Sequence, residues 1–254
     1  MESPFLFPFK SLIKEQISEW VKPKRGYDEA SYYEGFCELQ NELGKTLKVF
    51  TLNYDLCFER VIEKKPDLDV ELGFSDRIWH YKNFDSIESR QIETHFALYK
   101  LHGSINWEKN EDGNLILKDD PTKNAELIFG LPYKLTSSDP YFFYATEFRK
   151  SLLDDRSRIF VCIGYSFYDE YLNQFIAQAM KDDSDKVLLV VTYCQDSEIE
   201  HKKTEVAGFL SSKKDNIQIE NDRIEIFNKG AKAFLQENMK TEYFEGLMKS
   251  SGPF

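Results

Sequence analysis

Residues 47–55 read Leu47-Lys48-Val49-Phe50-Thr51-Leu52-Asn53-Tyr54-Asp55. A β-favouring apolar run stops at Asn53, and a helix-period stretch, Tyr54–Lys64, starts directly after it. A strand feeding straight into a helix is the first half of a crossover unit, the connection that parallel strands require. The same alternation recurs along the chain, with strands predicted at Leu47–Leu52, Phe96–Leu101, Glu126–Phe129, Arg158–Gly164, Val187–Tyr193 and Arg223–Phe227. Helices are predicted between them at Tyr141–Leu153, Asp169–Met180, Ser197–Leu210 and Ala231–Met239. Consecutive Val, Ile and Phe imply strands buried on both faces, so the expectation is an α/β fold with a mostly parallel sheet and helices on both faces.

Two stretches depart from the alternation. Ile105–Trp107 and Leu115–Leu117 flank a Glu-Asp-Gly-Asn turn, which predicts a small antiparallel hairpin over 105–117, directly after His102. The first 45 residues combine Phe5, Leu6, Phe7 and Phe9 with helical patterning at Ser11–Val21 and Asp28–Leu43, expected as helices packed on the sheet. The charged stretches at Lys213/Lys214 and Asp182–Lys186 read as solvated loops.

Composition narrows the function classes. With 254 residues and 41% hydrophobic content the chain can bury a sizeable core. The balance of 33 Lys+Arg against 44 Asp+Glu gives a formal charge of −11, which repels a phosphate backbone and argues against direct nucleic-acid binding. The longest aliphatic run, Val187–Val191, is far short of the roughly 20 residues that cross a bilayer, so no membrane partner and a cytoplasmic location are expected. Cysteines at 37, 57, 162 and 194 lack the Cys-x-x-Cys spacing of a zinc site, so no metal is expected. Cys162 and Cys194 sit in apolar runs and read as small buried hydrophobes.

In an open parallel sheet, ligands bind beyond the carboxyl ends of the strands. Three such ends carry polar residues. Asn53 offers a carboxamide that can donate and accept, and Asp55 stands where a carboxylate can cap the following helix. Lys100-Leu101-His102-Gly103-Ser104 brings an imidazole to a strand end, with Gly103 permitting close approach of chain or ligand. His102 is therefore the general-base candidate, whereas His80, His95 and His201 lack that setting. Gly164-Tyr165-Ser166-Phe167-Tyr168-Asp169 puts a glycine before a helix N-terminus, a place suited to phosphate or ribose. A serine-hydrolase elbow would need a second glycine two residues after Ser166, and Tyr168 stands there.

Together the Thr-Leu-Asn-Tyr-Asp of 51–55, the Lys-Leu-His-Gly-Ser of 100–104 and the Gly-Tyr-Ser-Phe-Tyr-Asp of 164–169 resemble the sirtuin-like family, in its bacterial branch without a zinc module. The resemblance covers about residues 46–240 and implies a Rossmann-like core within a single domain spanning 1–254. Around it lie a helical segment at 1–45 and a tail at 241–254. It implies that His102 is the catalytic base, that Asn53 positions ribose or water, and that Thr51, Asp55, Gly103, Gly164, Ser166 and Gly230 line the nucleotide site. Asn228-Lys229-Gly230-Ala231 is similar to the family's late loop beside the adenine.

The resemblance further implies NAD as substrate, cleaved to nicotinamide and ADP-ribose, in the manner of NAD hydrolases of bacterial antiviral systems. Such proteins work as homo-oligomers or beside an ATPase or Argonaute-like partner. The absence of four zinc-binding cysteines disfavours peptide deacylation. Nothing upstream of Leu47 matches the family's first strand and its Gly-Ala-Gly-Ser-type pyrophosphate loop, so that first βα unit is expected to be missing or remodelled. This supports the alternative of a weak or inactive nucleotide-binding or assembly module. ADP-ribosyl transfer to another acceptor stays open, since it shares the same bond cleavage.

Overall fold

The computed structural model describes residues 6–88, 94–128, 139–211 and 217–250. In chain order its elements are α1 (Leu6–Trp20), α2 (Glu34–Leu43), β1 (Leu47–Thr51), α3 (Cys57–Ile62), β2 (Val70–Glu71), β3 (Phe74–Ser75), β4 (Ile78–Trp79), α4 (Lys82–Glu88), β5 (Phe96–Lys100) and β6 (Gly103–Ser104). They continue with β7 (Trp107–Lys109), β8 (Leu115–Leu117), β9 (Glu126–Leu127), α5 (Tyr141–Leu153), β10 (Ile159–Ile163), α6 (Glu170–Asp182), β11 (Val187–Val191), α7 (Ile199–Leu210), β12 (Ile224–Phe227), α8 (Ala231–Glu237) and α9 (Thr241–Ser250). Short 3₁₀ turns at Tyr27–Tyr33, Asp196–Glu198 and Asn221–Arg223 complete the order. The chain divides into two compact units, Met1–Tyr33 with Gly44–Ala145, and Glu34–Leu43 with Thr146–Phe254.

In the first unit β1, β5 and β2 form a parallel sheet with β5 central. The β1–β5 register runs from Leu47↔Phe96 to Thr51↔Lys100. Flanked on both sides, β5 is buried at every position, which is why it carries Phe96, Ala97, Leu98 and Tyr99 in succession. Aromatic side chains pack around it. Phe84 stacks on Tyr99 at 4.5 Å, and Tyr144 meets both edge-on at 5.8 and 5.6 Å. Buried polar tips are satisfied, with Trp79 Nε1 donating to the Tyr144 hydroxyl at 2.9 Å and that hydroxyl donating to the Leu72 carbonyl at 3.2 Å.

The second unit repeats the parallel plan in β10-β11-β12, with β11 central and buried throughout. α6, α7 and the strands share one apolar core that includes Ile176, Met180, Leu188, Val190, Val206 and Leu210. Each fully buried aliphatic side chain contributes about 1.5–3 kcal/mol. α2 belongs to this unit. At its Gly35 an added Cβ would stand 1.7 Å from the Leu235 carbonyl of α8, so only glycine permits that packing. Glu42, at the other end of α2, accepts from the Thr241 N–H and hydroxyl, both at 2.7 Å, and so caps α9.

The architecture is mixed α/β and Rossmann-like, as expected. Several details differ from the sequence reading. The 126–129 stretch forms β9 only at Glu126–Leu127 and pairs antiparallel with β6, outside the parallel sheets. The helix expected at Tyr54–Lys64 covers only Cys57–Ile62, because the turn before it is held by side chains. Asp28–Leu43 splits into a 3₁₀ turn and α2. The hairpin forms as β7 and β8 but joins β3 and β4 in a four-stranded sheet.

Lys186 is not solvated. Its ammonium is buried and donates to the Asp154 and Ser157 carbonyls at 2.9 and 2.8 Å. Cys162 and Cys194 are half-buried, while Cys37 and Cys57 are the buried thiols. Thr241–Ser250, within the expected tail, is helical. Phe5, Phe129, Lys213, Lys214 and residues 251–254 lie outside the described residues.

Candidate functional site

Parallel strands deliver their carboxyl ends to one edge of a sheet. In the first unit β1 and β5 end in register at Thr51↔Lys100, and Leu101 N–H still donates to the Thr51 carbonyl at 2.9 Å. Asn53 and His102 each stand two residues beyond that pair, so the two strands bring them to the same edge at the same level. Their exposure differs: Asn53 is exposed and His102 is 7% exposed.

Each is held by its surroundings. Asn53 N–H donates to Thr51 Oγ1 at 3.1 Å, and its carboxamide is hydrogen-bonded to the Tyr33 hydroxyl. Burial first, then the Asp55 carboxylate, push the Tyr33 pKa up. Tyr33 stacks on Tyr32 at 4.9 Å and meets Phe58 of α3 edge-on at 6.1 Å. The His102 carbonyl accepts from Ile128 N–H at 2.9 Å, and the Tyr54 hydroxyl donates to the Ile128 carbonyl at 2.5 Å. The Tyr54 and His102 rings lie 6.5 Å apart.

The remaining residues at this edge are structural in their visible contacts. Asp55 Oδ1 accepts from Cys57 N–H at 2.8 Å, closing the turn that leads into α3. Gly103 has φ +90°, and an added Cβ would lie 2.0 Å from the Glu126 carbonyl. The close approach that calls for glycine there is by the chain's own backbone. Beneath the edge, Lys100 is 1% exposed; its ammonium donates to Glu59 Oε1 at 2.8 Å and to the Asp55 carbonyl. An unpaired buried ammonium costs several kcal/mol, and Glu59 offsets that penalty. Of the other histidines, His95 Nδ1 lies 2.6 Å from Asp69 Oδ1, while His80 and His201 are exposed.

In the second unit β10, β11 and β12 end in register at Ile163, Val191 and Phe227, which puts Gly164, Thr192 and Asn228 along one edge. Gly164 N–H donates to the Val191 carbonyl at 3.0 Å, and Thr192 N–H donates to the Phe227 carbonyl at 3.1 Å. Gly164 has φ +65° with open space where a Cβ would stand. Asn173 holds the loop after it, donating to the Phe167 carbonyl at 2.7 Å and accepting from the Tyr165 hydroxyl at 2.8 Å. Asp169 caps α6 through Leu172 N–H at 3.3 Å. This fixed loop leaves Ser166 exposed. Gly230 is also exposed and precedes α8.

The expected site residues thus fall into two groups. Thr51, Asn53, Asp55, His102 and Gly103 share the first unit's strand edge, and Gly164, Ser166 and Gly230 belong to the second unit's edge. Tyr33, Lys100, Glu59 and Asn173 escaped the sequence reading. One signal was available: Lys100 is the sole charge closing the apolar run Phe96–Tyr99. Among the described residues, no group of three or more His, Cys, Asp or Glu side chains could hold a metal ion, and no helix is long and apolar enough to cross a membrane.

Parallel sheets with polar residues at the strands' carboxyl ends place the chain in the α/β class whose ligands bind at those ends. Within it, a family model described as SIR2-like domain matches residues 47–219, and the chain belongs to that family. Membership brings NAD-dependent chemistry in general. A comparison with curated proteins finds no match.

Proposed function

We propose that this protein hydrolyses NAD at the bond between nicotinamide and ribose, releasing nicotinamide and ADP-ribose, as part of a bacterial antiviral response. The observation that carries this reading is the pairing of Asn53 and His102 at equivalent positions past two adjacent parallel strands, in a chain of the SIR2-like family. Nicotinamide in NAD is already a cationic leaving group, and its departure leaves an oxocarbenium-like ribose. No proton need be supplied to it. The work left to the protein is to orient water at the sugar, through the Asn53 carboxamide, and to take the proton that the water or a ribose hydroxyl gives up, at His102. Thr51, Asp55 and Gly103 shape that edge, and Gly164, Ser166 and Gly230 are the groups we assign to sugar-phosphate contact. A second copy of the chain, or an ATPase or Argonaute-like protein, is the partner this reading implies.

The test is to incubate purified protein with NAD and measure nicotinamide and ADP-ribose. The parent should release both in equal amounts, and His102→Ala should slow release by about 10²–10⁴-fold while remaining folded. Equal release by both proteins removes His102 from the reaction. Nicotinamide without free ADP-ribose would mean transfer to another acceptor.

A second reading, a nucleotide-binding or assembly module without turnover, is favoured by one feature. Upstream of Leu47 the glycines stand at 26, 35 and 44, a spacing unlike a phosphate-cradling loop. Nucleotide binding without nicotinamide release would support that reading.

A further inference from the structure

We propose that Lys100, paired with Glu59, is a positioning residue that holds the turn carrying Asn53 in place relative to His102; this rests on the reading of Asn53 and His102 given above. Lys100 closes a strand whose other four residues are buried and apolar. Its main chain leads within two residues to His102, while its side chain turns to the neighbouring strand's exit and donates to the Asp55 carbonyl and to Glu59 Oε1. One residue therefore ties together both strand ends of the candidate site.

Burial alone does not call for this arrangement. Well-packed apolar side chains of similar volume commonly replace a buried ion pair without loss of stability. What they cannot do is donate to the Asp55 carbonyl. The turn from Asn53 to Asp55 is also held by the Asn53 N–H bond to Thr51 Oγ1, the Tyr54 hydroxyl on Ile128, the Tyr33 contact with Asn53, the Asp55 bond to Cys57 N–H and the Ile105 N–H, which donates to the Tyr54 carbonyl at 3.1 Å. Among these contacts, that of Lys100 is the one a β5 side chain makes, and it reaches the Asp55 carbonyl, one residue further along the turn than the Ile105 bond.

The test uses the full chain and the double variant Lys100→Met/Glu59→Leu, which removes both charges and so leaves neither buried alone. Amide hydrogen exchange across residues 53–57 should accelerate by about tenfold or more while β1 and β5 stay protected and the melting midpoint stays near the parent's. Turnover of NAD should fall by up to about 10²-fold in kcat with KM little changed, since a small misplacement acts on the reacting geometry rather than on binding. Lys100→Arg should recover part of that kcat. Should the double variant not fold, Glu59→Gln carries the same test, with a smaller rise in exchange over 53–57 expected. Unchanged exchange in either folded variant, or faster exchange with undiminished kcat in an active protein, overturns the proposal. If the parent releases no nicotinamide, the hydrolase reading fails, and the exchange measurement still decides whether Lys100 holds the turn.

Discussion

At the scale of single residues, two glycines at strand ends do different work. Gly103 needs both its left-handed backbone and its missing side chain, because Glu126 runs against it. Gly164 needs the backbone conformation alone, since the space beside it is open. Gly164→Ala should therefore cost about 1–2 kcal/mol, the penalty of a left-handed L-residue. Gly103→Ala adds a steric clash with main chain and should cost well beyond that, in the range above about 4 kcal/mol reserved for exceptional substitutions. Urea unfolding of the two variants checks this, and equal midpoints would show that the Glu126 backbone yields to the new methyl group. Tyr33 belongs to the same scale. It lies twenty positions before Asn53, and nothing in local spacing connects a tyrosine of a 3₁₀ turn to a carboxamide at a strand end. Only the packing of that turn on α3, through Ala30, Cys57 and Val61, brings them together.

At the scale of elements, strands and long helices were the legible part. β1, β5, β10, β11 and β12 are five- or four-residue stretches rich in Val, Ile, Leu and Phe, and α5 falls where it was expected. β2, β3 and β4 have two residues each, too short to carry a period, and their pairing depends on partners elsewhere in the chain. Lys186 was misread for a different reason. It stands in a charged stretch, so pattern alone sends it to solvent, whereas the Asp154 and Ser157 carbonyls that satisfy it meet it only after folding.

The elements also fix two thiols in settings that resist ionisation. Packing of the half-buried Cys162, on β10, against the apolar core of the second unit desolvates its thiol and pushes it up to about 12. Burial and then the Asp55 carboxylate raise Cys57, at the start of α3. Because the folded state keeps these protons and the unfolded chain releases them near pH 8.5, their contribution is intact below that pH and is lost as pH rises toward the folded values. Stability measured by denaturant midpoint should thus decline from about pH 8.5 to 10, by at most about 1.4 kcal/mol per pH unit for each thiol. Cys162→Ala should flatten the decline. A profile that this variant leaves unaltered would assign the alkaline loss to other groups.

For the whole molecule, two parallel sheets in two compact units present polar residues at their carboxyl edges, and the SIR2-like family supplies NAD as the common chemistry. The motifs at 51–55, 100–104 and 164–169 were legible because each is a contiguous strand end. The membership of α2 in the second unit was not, since it follows from Gly35 meeting the Leu235 carbonyl two hundred positions away. The central claim is that Asn53 and His102 act together on one substrate, and a double-mutant cycle on nicotinamide release tests it most directly. Groups that work as a unit are strongly non-additive, so Asn53→Ala/His102→Ala should be no slower than the more impaired of the two single variants. Losses that multiply in the double variant, or an Asn53→Ala protein as fast as the parent, would contradict it.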